Sequence, residues 1–210
     1  MNKLIILIII LYIELSIGEV IVHRYIMHNK EGTLIRKYYG NLHNTHHLDV
    51  LNDMKLKDEY NERGLYFALT DSFYVAILTF LVWYPTIQSF DIKLKSEYLV
   101  GICLVIGLIY KFSWDFLHYS FHQISELDKF KNNNLFLWLF KNHSYHHLVK
   151  GETKGNYNII FPGGDYLFNT YNNCIDNKEY CKSPHPSHIK FCEDEKNKVP
   201  LNHGLKWCNN

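Results

Sequence analysis

Apolar residues in this 210-residue chain gather into three long blocks separated by polar segments. The first, Leu4 to Val22, is a nearly continuous Leu/Ile run interrupted by Glu14, Ser16, Gly18 and Glu19. The second runs from Gly64 to Tyr84, and the third from Glu97 to Trp114 with LVGICLVIGLIY at its heart. A bilayer-crossing helix needs about 20 mostly apolar residues, so each block predicts a membrane span. Lys3 ahead of an apolar core also fits a cleaved signal peptide. That reading is set aside because the run leads straight into a histidine motif, which cleavage would strand at a new terminus. A shorter run, Leu135 to Phe140, cannot span and predicts a helix lying in the interface or packed under the domain. The expected fold is all-α: an integral membrane helical bundle of about three spans beneath a histidine-rich helical cap.

Basic residues orient this bundle. Arg24, Lys30, Arg36, Lys37, Lys55, Lys57 and Arg63 lie between the first two blocks, and only Lys93 and Lys95 between the second and third. Lysines cluster on the cytosolic side of membranes, which places 24–63 and 115–210 in the cytosol and the 85–96 turn on the far side. From residue 172 to 210 the chain is rich in Asn, Lys, Pro and Cys, a polar tail of weak structure after a membrane domain spanning 1–171.

Composition adds limits. A net charge of +1 points to no nucleic acid or other polyanion. Sixteen Tyr and four Trp suit a membrane interface. A mean hydropathy of −0.19 requires a substantial polar portion beside the spans. The five cysteines, Cys103, Cys174, Cys181, Cys192 and Cys208, are odd in number and irregularly spaced, so they read as reduced thiols rather than a disulfide framework. A tail zinc site using His185, His188 or His203 lacks the CxxC pair that marks such sites.

Ten of the 13 histidines fall into four motifs. His23 and His28 form HxxxxH; His43, His46 and His47 form HxxHH; His118 and His122 form HxxxH; His143, His146 and His147 form a second HxxHH. Residues three and four apart share a helix face, so HxxxH and HxxHH each aim imidazoles together. HxxxxH does not share an ideal α-helical face, and predicts either a bulge at the end of the first helix or service to two different metals. Ten imidazoles exceed the roughly four that one structural zinc takes, which points to two ions with open positions. Imidazole suits Fe, Zn, Cu or Ni, so the donors alone do not name the metal. Asp115, three before His118, is a candidate to orient an imidazole, as are Asn156 and Tyr157 just after the last triplet.

Two other classes fit less well. A metal-binding or transport protein would hold its ligands near the bilayer midplane, whereas these lie at and beyond the ends of the spans. A bis-His haem protein needs single histidines facing one another, not triplets. An inactive homologue would have lost ligands, and all ten are present.

In order and spacing the four motifs resemble the fatty acid hydroxylase superfamily, which includes sterol and carotene hydroxylases and desaturases. Residues 15–171 carry the likeness. HRYIMH is similar to the carotene hydroxylases, while the stretch 148–171 is closer to the fatty acid and sterol branches. There Asp165, Leu167, Phe168 and Thr170 match, Gly164 stands where the family usually has Trp, and Asn169 where it has Gly. FPGG at 161–164 resembles a haem-binding HPGG, but Phe161 cannot ligate iron. The resemblance implies two iron ions held by the ten histidines, O2 as co-substrate, and electrons from a separate partner such as cytochrome b5 and its reductase. It implies hydroxylation of an aliphatic C–H in a fatty acyl, sterol or carotenoid lipid, or desaturation on the same scaffold. It also implies an endoplasmic-reticulum-like membrane, with the histidines facing the cytosol. An aliphatic C–H is not acidic, so a bound metal must supply the oxidising power while the protein positions and shields. Phe73, Trp83, Trp114 and Phe116 are candidates to line the lipid's path.

Overall fold

The computed structural model describes residues 3–29, 31–50, 65–122, 129–130, 133–148 and 154–172. The tail beyond 172 and the basic residues Lys30, Lys55, Lys57 and Arg63 lie outside the described residues. Among those described there is no strand. The chain runs through α1 (Lys3–Ile21), a π-helical turn (Val22–Met27), α2 (Leu34–Asp49), α3 (Leu65–Ser89), α4 (Ser96–Phe121), α5 (Asn134–Leu148) and a single turn, α6 (Gly164–Leu167).

The first and third apolar blocks become the helices Lys3–Met27 and Ser96–Phe121, both long and apolar enough to cross a membrane. Ile5, Ile8 and Ile9 on α1 and Ile102, Val105 and Ile109 on α4 are exposed. Such a surface suits lipid rather than water. The second block becomes α3, which packs antiparallel along α4. Their backbones meet at Gly107, where an added Cβ would lie 2.5 Å from the carbonyl oxygen of Ser72. Leu7 of α1 packs with Trp83 and Ile87 of α3 and Leu99 and Cys103 of α4. This contact joins the start of α1 and α4 to the end of α3, so α1 and α4 run parallel. Their C-terminal ends, which carry His23 and His118, therefore emerge together.

Thr33 caps α2, its hydroxyl accepting from Arg36 N at 3.4 Å. Asn133 does the same for α5, accepting from Phe136 N at 2.9 Å. The short run Leu135 to Phe140 is the first half of α5. Its Phe136 and Phe140 are buried against Phe121, at ring separations of 5.3 and 6.0 Å. The second half of α5 carries the second triplet. After α5 the chain returns to α1, where Tyr12 donates to the Pro162 carbonyl at 2.8 Å.

Candidate metal centre

The histidines converge from four helical elements. On an α-helix, residues five apart are about 140° apart around the axis. The π turn at Val22–Met27 removes that offset: His28 N donates to His23 O at 3.1 Å, an i→i+5 bond, and both imidazoles enter the same cluster. Of the two readings of HxxxxH, the bulge is the one observed. π turns are rare and concentrate at functional sites.

The imidazoles form two groups whose ligand nitrogens lie within 4.8 Å of one another. One holds His46, His118, His122, His143 and His147; the other holds His23, His28, His43 and His146. Each pair stays with part of its own triplet, but the middle member of each triplet crosses over. His46 of α2 joins the α4 and α5 group, and His146 of α5 joins the α1 and α2 group. His47 lies between them. Its Nε2 is 3.1 Å from that of His43, and its ring stacks on His147 at 4.0 Å. All ten histidines are thus brought to one place.

The donor set fits a pair of cations. His43 Nε2 faces the Nε2 atoms of His23, His28 and His47 at 3.0, 3.0 and 3.1 Å. One nitrogen can share a proton with only one of three such neighbours. Donors held about 2.1 Å from one ion stand ~3.0–3.4 Å apart, the separation seen here. His118 Nε2 is buried and has no hydrogen-bond partner among the described residues. Burial pushes the imidazoles of His28, His43, His46, His47, His143, His146 and His147 well below the usual histidine range, with neighbouring histidines adding to the effect in each and the Lys154 ammonium in all but His43 and His147. Neutral imidazoles keep the lone pairs that metal ligation needs. Among the described residues neither group contains a carboxylate.

Two backbone carbonyls orient the smaller group. His23 Nδ1 donates to Tyr157 O at 2.6 Å, and His146 Nδ1 donates to Gly155 O at 2.9 Å. A carbonyl only accepts, so in both rings Nδ1 carries the proton and Nε2 offers its lone pair inward. In the larger group, His143 Nδ1 and His147 Nδ1 are buried without partners among the described residues. Sequence reasoning missed Gly155, because a peptide carbonyl leaves no signal in residue type.

The outer candidates are placed as follows. Tyr157 supplies its carbonyl to His23 and lays its ring edge-on against His23, His28 and His146 at 5.6, 5.6 and 5.2 Å. Asn156, in the left-handed region at φ 57°, clasps Asn172 through both side-chain atoms rather than a histidine. The Asp115 carboxylate is paired with Lys111, which also lies 3.6 Å from Asp71. Of the four proposed path residues, Trp114 stacks on His118 at 4.3 Å. Phe73 and Phe116 are exposed on the apolar flank, and Trp83 is buried at the end of the bundle away from the histidines.

Residues 6–170 match the fatty acid hydroxylase family. The chain belongs to that family. No curated protein and no solved structure matches it. Membership makes it a hydroxylase-type oxidoreductase associated with membranes, and the family is usually iron-dependent. One departure from the expected fatty acid hydroxylase pattern has a local cause. A Cβ at Gly164 would lie 2.5 Å from Ser16 O and 2.8 Å from Val20 Cγ2, so α1 leaves no room for the usual tryptophan.

Proposed function

We propose that this protein is an O2-dependent di-iron monooxygenase that hydroxylates an aliphatic C–H of a membrane lipid in lipid biosynthesis. The observation that carries this reading is the meeting of nine imidazoles in two adjacent groups, with His47 between them, at one end of apolar helices. In this reading α3 is a third span, and the histidine end faces the cytosol, as the basic residues Arg24, Arg36 and Lys37 beside it suit.

His46, His118, His122, His143 and His147 would hold one iron, and His23, His28, His43 and His146 the other, with His47 within reach of both groups. Bound iron supplies, from O2 and two electrons, the oxidising power that no side chain has. The chain's own residues position and shield. Gly155 and Tyr157 carbonyls fix the tautomers of His146 and His23. Trp114 covers His118, and Phe121 lies 5.2 Å from His143. These rings keep water from the imidazoles. A lipid chain resting against the exposed faces of α3 and α4 is already at the level of the cluster and needs no transfer through water. The electrons come from a separate donor such as cytochrome b5 and its reductase.

Expression in a host lacking its own lipid hydroxylase, beside a His146→Ala control, tests the proposal by mass spectrometry of extracted lipids. A lipid with one added oxygen, absent from the control, is the expected product. A lipid short of two hydrogens would reassign the chain to desaturation. No new lipid from iron-loaded protein with a donor present would leave the metal-binding or transport reading.

A further inference from the structure

Glu19 interrupts an apolar helix and is 5% exposed, yet among the described residues its hydrogen bonds go to no histidine. Its carboxylate instead collects donors from the loop that follows the second triplet. Ile160 N reaches Oε1 at 3.1 Å, Phe161 N reaches Oε2 at 3.0 Å, and Asn158 Nδ2 reaches Oε2 at 3.1 Å. Tyr110 OH adds a fourth bond at 3.2 Å from α4. Ser16, one turn earlier on α1, donates to Phe161 O at 2.6 Å and accepts from Gly164 N at 2.6 Å. From the other side, Asp165 accepts from Tyr157 N at 2.9 Å and Asn158 N at 2.7 Å. Residues 157–164 are thus held between α1 and α6.

This is the loop whose carbonyls meet the metal ligands. Tyr157 O and Gly155 O both serve imidazoles of the four-histidine group, while His143 Nδ1 and His147 Nδ1 of the other group have no such anchor among the described residues. The loop's two carbonyls thus support the four-histidine position. Glu19 also lies four residues before His23, on the same helix face, so one helical turn carries both a ligand and the clamp that aims it.

We propose that Glu19 is a positioning residue for the four-histidine metal position alone. By holding the loop at Asn158, Ile160 and Phe161, it keeps the Tyr157 and Gly155 carbonyls on His23 and His146 and strengthens metal binding at this position. The proposal rests on the two-metal reading of the cluster. Loss of outer partners of this kind typically weakens metal binding about 10–100-fold.

The test uses the full-length protein in detergent, stripped of metal and titrated with Co2+, read by absorption and by bound metal per chain. The wild type is expected to fill in two steps. Glu19→Gln places an amide against the donors of Phe161 and Ile160. It is expected to weaken one of the two steps about 10–100-fold and leave the other unchanged, with Glu19→Asp recovering part of the loss. Asp165→Asn, which disturbs the same loop from its other side, is expected to weaken the same step, and helical circular dichroism confirms that each variant is folded. Equal weakening of both steps, or no change in either, overturns the role of Glu19. Failure of the folded wild type to take up two ions overturns the two-metal reading itself.

Discussion

The Nε2 atoms of His28 and His146 stand 2.9 Å apart although 118 residues separate them in the chain. The pairing follows from the crossing of the triplets, in which His46 and His146 each complete the group built mainly by the other half. Replacing a crossing histidine therefore removes a ligand from the group opposite its own helix. His146→Ala is expected to lower bound metal from two ions toward one per chain and to abolish lipid oxidation, at a cost beyond the roughly 100-fold of an outer partner. His46→Ala is expected to do the same at the other position, so the two variants should retain different metal spectra. Metal analysis of both variants checks this, and identical residual spectra would count against two separate groups.

Trp114 covers His118 face to face at 4.3 Å, and aromatic contacts of this kind are worth about 0.5–1.5 kcal/mol. Trp114→Ala is expected to weaken metal at the five-histidine position by up to roughly tenfold and to leave the other position unchanged. A Co2+ titration of the variant resolves the two.

Gly164 cannot accept the tryptophan usual in its relatives. Gly164→Trp would drive a side chain into Ser16 O and Val20 on α1, and overpacking of this kind costs about 1–3 kcal/mol. A lower midpoint of thermal unfolding in detergent is expected, and an unchanged midpoint would show that α1 is not packed against this turn.

Acid should destabilise the metal-free protein. Burial holds the imidazoles of His43, His143, His146 and His147 below the ordinary value of about 6.5, so they stay neutral where the unfolded chain takes up protons. Stability is fully present above about pH 6.5 and is lost as pH falls below it, by up to about 1.4 kcal/mol per pH unit for each imidazole kept neutral. Unfolding of chelator-treated protein between pH 8 and pH 5 measures this (both limits being about 1.5 units from the free imidazole value). The same protons compete with metal, so affinity for Co2+ should fall over the same range.

Much of the site is legible in the sequence because helical spacing alone carries it. HxxxH and HxxHH aim side chains through local geometry, and the apolar blocks locate the helices that raise them. What remained illegible depends on tertiary contact. Nothing in HNTHH or HSYHH says that His46 and His146 exchange groups, since the ends of α2 and α5 must first be brought together by the fold. The HxxxxH spacing left two readings open until the π turn put His23 and His28 in one group. Asp115 stands at a promising distance from His118 in sequence, but the nearer charge of Lys111 takes its carboxylate. Trp83 lies in an apolar block like Trp114, yet antiparallel packing of α3 carries it to the opposite end. Glu19 reads as an interruption of the first block, and two of its partners are backbone amides about 140 residues away, groups that are the same in every sequence.

The most direct test of the account reconstitutes the iron-loaded protein in lipid vesicles with cytochrome b5, its reductase and isotopically labelled O2, and follows the lipids by mass spectrometry. A lipid gaining one labelled oxygen, absent when His146 is replaced by alanine, is the predicted result. Loss of two hydrogens without label, or no change in any lipid while both irons are bound and reduced, would contradict lipid hydroxylation.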